Sequence, residues 1–228
     1  QKEAIRRALS SKTLVITGGP GTGKTTITRA IVSILKKQGV RIALCSPTGR
    51  AAKRLSECTG MEAATIHRLL GYDGPGGRFK YNENNRLPCD LLIMDESSMV
   101  DIQLIRHVLC ALSAGVALFL IGDVDQIPSV GPGCVLKAVI DSGTVCVVRL
   151  SEIFRQAAES RIISNAHRIN RGLMPQIDGK EDDCDFYFIR SEAPEKTVAT
   201  IVELVKTRIP RRFLFDPVTE IQVHSPMN

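Results

Sequence analysis

A glycine-rich segment between two apolar runs holds the residues with the clearest chemical role. Residues 18–25 read Gly-Gly-Pro-Gly-Thr-Gly-Lys-Thr and directly follow the β-branched, apolar residues 13–17. In a P-loop of this composition, successive backbone N–H groups surround a phosphate, Lys24 reaches the β- and γ-phosphates and the Thr25 hydroxyl binds Mg²⁺. Apolar residues recur at helical spacing after Lys24, which favours this interpretation over a glycine turn without a ligand. The predicted nucleotide-binding residues of the loop are Gly18, Gly19, Pro20, Gly21, Thr22, Gly23, Lys24, Thr25 and Thr26.

A pair of adjacent acids, Asp95 and Glu96, stands at the end of the apolar run 90–94. Parallel α/β sheets bind ligands at the carboxyl ends of their strands, so both acids are predicted to face the P-loop. In a nucleotide hydrolase, Asp95 would hold Mg²⁺, and Glu96 would orient or deprotonate the attacking water. The alternative is that the two carboxylates only cap the following turn.

Two further polar residues have the types needed to stabilise phosphoryl transfer. Gln126 follows the apolar run 115–121, where its amide can hydrogen-bond the γ-phosphate or the attacking water. Arg155 lies in a short connection after a fifth apolar run, and an arginine presented from a neighbouring domain is a common trigger of hydrolysis. A structural salt bridge is the other interpretation of Arg155. The predicted catalytic residues are therefore Lys24, Asp95, Glu96, Gln126 and Arg155.

The elements that must position these residues alternate in type along the chain. Short apolar runs predict strands and the amphipathic segments between them predict helices, which indicates an α/β fold with a doubly wound parallel sheet. After this sheet we expect a helix over residues 159–171, with Ile162, Ile163, Ala166 and Ile169 facing inward. A helix over 194–208 and strands over 186–190 and 220–223 are predicted to begin a second α/β unit. The predicted strands of the first sheet are residues 13–17, 40–45, 90–94, 115–121 and 144–150.

Composition limits the classes of protein that fit. The chain has 228 residues, 43% of them hydrophobic, and a formal net charge of +6, which favours an anionic partner. It contains no apolar run long enough to span a bilayer and no signal-peptide core. Seven cysteines without a C-x-x-C pair indicate reduced core thiols and a cytoplasmic location. The start without Met and the end at Met227 and Asn228 suggest a piece of a longer protein.

Basic residues follow the second predicted strand. Thr48 is predicted to cap a helix that carries Arg50, Lys53 and Arg54, which form either a solvated charged face or a track for a phosphate backbone. A second helical segment, residues 65–70, adds His67 and Arg68. For residues 71–88, rich in Gly, Pro and Asn, we favour a mobile surface loop over a DNA-contacting hairpin that turns at Asn84 and Asn85.

Together these motifs resemble superfamily 1 helicases, and among them the RecD-like branch, which includes the alpha subunit of bacterial exodeoxyribonuclease V. The resemblance covers nearly the whole chain, with the motifs in the family's order. The matching segments are GGPGTGKT from Gly18, SPTGRAAKRL from Ser46, TIHRLLG from Thr65, DESSMVD from Asp95, GDVDQIPSVGPG from Gly122, FRQ from Phe154 and VHSPMN from Val223.

The resemblance implies two RecA-like domains with ATP and Mg²⁺ in the cleft between them, here a first domain over residues 1–152 and the start of a second over 153–228. It implies 5′ to 3′ movement on single-stranded DNA in repair or recombination, possible partner subunits in a helicase–nuclease complex, and no membrane partner. Gln1 would contact the adenine, and Arg155 would be the arginine finger of motif IV. The residues implied to lie near DNA are Pro47, Thr48, Arg50, Thr65, His67 and Arg68.

The sequence departs from the family because it stops before motifs V and VI and lacks the small β-barrel insertion. We therefore expect ATP binding to persist better than unwinding, and no carboxylate and lysine cluster for phosphodiester cleavage is evident. A small-molecule P-loop kinase or GTPase is a competing class, although the absence of N-K-x-D and the pairing of Glu96 with Gln126 argue against it. A non-catalytic, nucleotide-dependent binding subunit is a third.

Overall fold

A computed structural model describes residues 1–74, 76–152, 159–177, 185–191 and 193–225. The chain divides into two compact units, residues 1–176 and residues 177–228. The predicted start of a second RecA-like domain at residue 153 stays a prediction. Among the described residues, no helix has both the length and the apolar character required to cross a membrane.

The first unit is built on a six-stranded sheet in the order β3-β2-β6-β7-β1-β8, and every neighbouring pair in it is parallel. The predicted doubly wound α/β fold is confirmed. The strands are β1 (Thr13–Gly18), β2 (Ile42–Ser46), β3 (Ala63–Thr65), β4 (Tyr72–Asp73), β5 (Arg78–Phe79), β6 (Leu91–Met94), β7 (Ala117–Gly122) and β8 (Cys146–Leu150). The helices are α1 (Lys2–Ala8), α2 (Lys24–Lys37), α3 (Gly49–Thr59), α4 (Ile66–Leu70), α5 (Ile102–Ala111), α6 (Val135–Asp141), α7 (Arg161–Asn170), α8 (Pro194–Glu203) and α9 (Ile209–Phe213), with a 3₁₀ turn at Ser97–Met99 and a π-helical turn at Leu204–Arg208.

Two apolar clusters cover the two faces of this sheet. Successive side chains of a strand point to opposite faces, so Leu92 lies in one cluster and Ile93 in the other. Both side chains are fully buried, as expected for a central strand of a parallel sheet with helices on each face. This packing holds the carboxyl ends of the strands at one edge of the sheet.

Part of the sequence prediction after residue 158 is wrong. Residues 186–190 and 220–223 form no strand in the described part of the chain, although the helix predicted between them is present as α8 and its continuation. A strand needs a partner to satisfy its backbone groups, and a local apolar run does not supply one. In α7 the side chains of Ile162 and Ile169 are exposed, and Asn165 is the buried residue.

The segment 71–88 contains short regular structure. Strands β4 and β5 form an antiparallel pair, and Asn82 and Asn85 exchange backbone hydrogen bonds of 2.9 and 3.2 Å. The turn predicted near Asn84 is therefore present, but the paired strands lie before it. Strand β3, which extends the main sheet, was absent from the prediction because Ala63, Ala64 and Thr65 form too short an apolar run to stand out.

An ion pair joins the chain at the start of β2 to the chain at the start of β6. The Arg41 guanidinium donates to both carboxylate oxygens of Asp90 at 2.6 and 2.9 Å, and the Arg41 backbone N–H donates to the same group at 2.9 Å. These hydrogen bonds lower the pKa of Asp90 to about 2. The Asp90 carboxylate is thus held ionised by the folded sheet.

We predict that this pair makes folding stability depend on acid. Because the pKa of Asp90 is lowered on folding, its contribution is complete above its ordinary pKa near 3.8 and is lost as the pH falls toward 2. Asp90→Asn should therefore lower the urea midpoint at pH 7 and flatten its fall between pH 4 and pH 2. Asp141→Asn, which removes the exposed i,i+4 pair with Lys137, is the control. It should change little either the urea midpoint at pH 7 or the fall of that midpoint between pH 4 and pH 2. If the urea midpoint of Asp90→Asn falls as steeply between pH 4 and pH 2 as that of the unmodified chain, Asp90 is not the group responsible.

Candidate nucleotide-binding site

The P-loop leaves β1 and enters α2 with the backbone geometry that its glycines allow. Gly21 and Gly23 have φ values of 75° and 85°, in the left-handed region that glycine adopts at low cost. Gly18 is also sterically required, since a Cβ at this position would lie 2.7 Å from the carbonyl oxygen of Leu150 and 2.8 Å from Oγ1 of Thr22. The loop therefore passes too close to the end of β8 for a side chain at residue 18.

Polar side chains hold the carbonyl groups of the loop. The Lys24 ammonium donates to the carbonyl of Gly18 and, at 3.1 Å, to that of Gly19. The Thr22 hydroxyl is buried and donates to the same Gly19 carbonyl at 2.8 Å. These donors engage the carbonyls of Gly18 and Gly19. The N–H groups of the loop are the donors that a phosphate would accept from.

Asp95 and Glu96 lie at the carboxyl end of β6, as predicted. The Asp95 N–H donates to the Cys45 carbonyl at 2.9 Å, and the Glu96 N–H donates to Oδ1 of Asp95 at 3.0 Å. Glu96 has a φ of 52°, a left-handed conformation that costs a non-glycine residue energy and that concentrates at functional sites. The chain therefore turns sharply at the residue predicted to act on water.

Burial and nearby cations act on the pKa values of the two acids in opposite directions. Burial raises the pKa of Asp95, and burial together with the charge of Asp95 raises the pKa of Glu96. The cations Lys24 and Arg54 act in the opposite direction and lower the pKa of both groups. Two partly buried carboxylates in this position favour a nearby cation.

Buried polar atoms at the carboxyl edge of the sheet indicate whether a nucleotide with Mg²⁺ fits this site. Four of them have no hydrogen-bond partner among the described residues. They follow or end β1, β2 and β6, at the carboxyl edge of the sheet where open α/β folds bind ligands. Unpaired buried oxygens of this kind suit a charged, hydrated ligand such as Mg²⁺ with phosphate. These atoms are Oγ1 of Thr17, Oγ of Ser46, Oε2 of Glu96 and Oγ of Ser98.

Gln126 lies on the loop after β7 and shares a cleft with Glu96 and the basic face of α3. Its backbone N–H donates to the Asp123 carbonyl at 3.3 Å, which helps to fix the loop. The side chains that line this cleft are Thr48, Arg50, Ala51, Lys53, Arg54, Glu57, Glu96, Met99 and Gln126. The cleft therefore brings predicted DNA-binding residues and predicted catalytic residues together.

The six residues implied to lie near DNA fall on two adjacent strand ends. Ser46 of β2 pairs with Thr65 of β3, so Pro47 and His67 follow from neighbouring positions at the carboxyl edge. Thr48 caps α3 by accepting the Ala51 N–H at 3.3 Å, and Thr65 caps α4 by accepting the Arg68 N–H at 3.2 Å. The two threonine hydroxyls thus have a structural role in addition to any contact with DNA.

Arg68 and His67 of α4 each contact a neighbouring side chain. The guanidinium of Arg68 lies 3.6 Å from the Glu62 carboxylate, and the side chains of both residues are largely exposed. The His67 ring packs edge to face on Tyr72, with their centroids 5.5 Å apart. A surface ion pair of this kind is weak, so a DNA phosphate can compete with Glu62 for Arg68.

Two predicted site residues have no geometry that bears on their roles. Gln1 is exposed at the start of α1, where its carbonyl accepts the Ile5 N–H at 3.3 Å. Arg155 lies outside the described residues. Adenine contact by Gln1 and the arginine-finger role of Arg155 stay predictions.

The structure adds two residues to the site that sequence reasoning did not assign to it. Arg54, which the sequence placed on a basic helix face, lies close enough to lower the pKa of Asp95 and Glu96. Its i+4 spacing from Arg50 was the available signal, since both then share one face of α3. His167 of α7 contacts the P-loop, with Nε2 3.3 Å from the Pro20 carbonyl oxygen, and no motif signalled it.

Comparison with known proteins identifies the family. Residues 1–132 match the family described as "AAA domain". The chain belongs to the AAA-domain family. The ATP-dependent RecD2 DNA helicase of Deinococcus radiodurans is 42% identical over 175 residues, which cover 77% of this chain and 24% of that protein. The RecBCD enzyme subunit RecD of Mycobacterium tuberculosis is 39% identical over 168 residues, covering 64% of this chain and 29% of that subunit.

These relatives confirm the resemblance to the RecD-like helicases, and a P-loop of this family binds ATP. Another RecD subunit of the RecBCD enzyme, from Buchnera aphidicola, is 28% identical across 100% of this chain and 43% of that subunit. The chain therefore spans less than half the length of these curated relatives. The crystal structure of the Pif1 helicase from Candida albicans shares the fold, with a TM-score of 0.58 and 23% identity over 87% of this chain and 52% of that one.

Proposed function

We propose that this chain is the motor core of an ATP-dependent DNA helicase that couples ATP hydrolysis to 5′ to 3′ movement on single-stranded DNA, in repair or recombination. The cleft carries this proposal, because it places Arg50 and Arg54 of α3 beside Glu96 and Gln126. The side chains assigned to the DNA phosphates and those assigned to ATP thus line one cleft. A structural change at the nucleotide then moves residues that contact the DNA.

Each residue of the site has a role in this proposal. Lys24 and the P-loop N–H groups bind the β- and γ-phosphates, and Glu96 orients and deprotonates the attacking water. Gln126 senses the γ-phosphate or that water, and Arg155 supplies positive charge to the transferring phosphoryl group. Gln1 contacts the adenine. The partly buried position of Glu96 suits a base, since burial and the charge of Asp95 both raise its pKa and so its proton affinity.

Mg²⁺ fits this site on the chemistry of its donors. The Thr25 hydroxyl and the Asp95 carboxylate would hold it, and Mg²⁺ would neutralise charge on the phosphate oxygens. The raised pKa of the buried Asp95 is consistent with a group that a cation stabilises in its charged form.

The partners that this proposal implies are single-stranded DNA and, in the full-length protein, further subunits of a helicase–nuclease complex. Relatives named as RecBCD subunits support the second partner. A chain with a net charge of +6 suits the first. We place the protein in the cytoplasm.

The proposal is tested by ATP turnover of this chain with and without a single-stranded oligonucleotide. We predict that the strand stimulates turnover. Arg50→Ala and Arg68→Ala should each weaken DNA binding without regard to sequence and reduce the salt slope by about one ion, since each removes one phosphate contact.

Lys37→Ala is the matched control, because it removes an exposed positive charge from the last turn of α2, at the opposite end of that helix from the P-loop. Its DNA affinity and salt slope should equal those of the unmodified chain. If neither arginine variant changes the salt slope, the DNA assignment is wrong. If the chain binds ATP but DNA never alters turnover, it acts as a nucleotide-dependent binding module.

A further inference from the structure

His167 of α7 contacts the phosphate-binding loop at Pro20, 147 residues earlier in the chain. The ring of His167 approaches the loop at Gly19 and Pro20, with Nε2 3.3 Å from the Pro20 carbonyl oxygen. A carbonyl oxygen only accepts, so the Nε2 atom carries the proton and donates. The fit is close, since a Cβ at Gly19 would lie 2.6 Å from Cε1 of this ring.

Hydrogen bonds at its start and to the segment after it hold α7 locally. The Ser160 hydroxyl caps the helix by accepting the Ile163 N–H at 3.2 Å. Asn165 is 1% exposed and makes two hydrogen bonds to the backbone of Gln176, one from its amide at 3.0 Å and one to its carbonyl oxygen at 2.7 Å. The satisfied, buried amide therefore ties α7 to the segment that follows it.

The contact falls on a peptide group whose orientation decides what the loop can bind. The carbonyls of Gly18 and Gly19 are engaged by Lys24 and Thr22, and that of Pro20 is engaged by His167. In a planar trans peptide the C=O and the next N–H point in opposite directions. Holding the Pro20 carbonyl against His167 therefore directs the Gly21 N–H away from that ring.

We propose that His167 is a positioning residue of the nucleotide site, which presents the Gly21 N–H to the phosphates of ATP by holding the Pro20 carbonyl. The inference rests on nucleotide binding by the P-loop and needs no assumption about DNA. Strand β8, which ends beside Gly18, and α7, whose His167 lies against Gly19, both contact the P-loop.

The test is equilibrium binding of ADP, ATP and adenosine by three variants of the full chain. His167→Ala should weaken ADP and ATP binding by about fivefold, the effect of one hydrogen bond. Adenosine, which has no phosphate, should bind as it does to the unmodified chain. His167→Gln, whose amide N–H can replace Nε2–H, should restore at least half of the loss on a logarithmic scale.

His224→Ala, in the second compact unit, is the matched control and should bind all three ligands normally. If ADP and ATP bind His167→Ala as tightly as they bind the unmodified chain, the positioning role is refuted while the nucleotide site stands. Equal losses for adenosine and ADP would also refute it, because they indicate general loosening of the site. If His167→Ala does not fold, failure of the folded His167→Gln to discriminate ATP from adenosine refutes it. Absence of nucleotide binding by the unmodified chain overturns the proposed function itself.

A double-mutant cycle checks the geometry independently. Gly19→Ala should weaken ATP binding because its Cβ meets the His167 ring at 2.6 Å. Removal of that ring relieves the contact, so Gly19→Ala should cost less in the His167→Ala background than alone. Strictly additive losses in the four proteins would show that the ring and Gly19 do not interact, and would refute the proposal.

Discussion

Glu96→Gln should leave ATP binding close to normal and reduce DNA-stimulated turnover by about 10² to 10⁴-fold, the usual contribution of a general base. The substitution preserves shape and removes the negative charge together with the ability to accept a proton. Burial and the neighbouring charge of Asp95 both raise the pKa of Glu96, so this carboxylate is a stronger base than an exposed one. The amide keeps a polar group at the left-handed turn, and so the fold of the loop is retained.

Single-turnover hydrolysis and ATP titration on the same preparations separate the two effects. Glu57→Gln is a suitable control, because Glu57 lines the same cleft but belongs to an exposed i,i+4 pair with Lys53. Its turnover should stay within about twofold of normal, since surface pairs contribute little. Near-normal turnover in Glu96→Gln would remove Glu96 from its proposed role. Loss of ATP binding in the same variant would instead assign Glu96 to the ligand-holding group.

The first sheet was predictable because its strands are buried on both faces. A run such as Leu91 to Met94 can be apolar at every position only where helices cover both sides, and the sequence carries that pattern without interruption. The strand order and the short strand β3 were not predictable by the same argument. They depend on pairing between distant segments, which leaves no local pattern in the chain.

In the second unit the strand predictions failed and the helix prediction succeeded. Apolar residues at 186–190 have the composition of a strand, but composition fixes only a preference, and a strand forms where a neighbouring strand accepts its hydrogen bonds. Helix prediction succeeded in the same region because every backbone hydrogen bond of a helix lies within its own segment.

In the candidate site, too, residues within one sequence motif were predictable and residues from distant elements were not. Residues within one motif, such as Lys24 with Thr25 or Asp95 with Glu96, were found because their spacing is itself the signal. Arg54 and His167 reach the site across the fold, and each has a residue type that is common on helix surfaces. Periodicity even pointed the wrong way for α7, since it selected Ile162 and Ile169 as the inward face. A polar contact between distant elements becomes visible only when both are in place.

Lys24→Ala should reduce the affinity for ATP by about 100-fold, which corresponds to nearly 3 kcal/mol for a charged hydrogen bond to phosphate. The loop should still fold, because alanine is a good helix former at the first position of α2, and Thr22 still donates to the Gly19 carbonyl. A second loss adds to the first. The charge of Lys24 opposes the rise in the pKa of Asp95 and Glu96, so its removal makes both partly buried carboxylates harder to ionise, and a metal cation needs them ionised.

Calorimetric titration with ATP, with and without Mg²⁺, measures the two losses separately. In the unmodified chain Mg²⁺ should strengthen ATP binding, and in Lys24→Ala that gain should shrink. Lys36→Ala, an exposed lysine in the last turn of the same helix, should behave like the unmodified chain, which excludes a general effect of charge. An affinity within about threefold of normal in Lys24→Ala would show that the carbonyl contacts to Gly18 and Gly19 persist when nucleotide binds, and that this lysine only braces the loop.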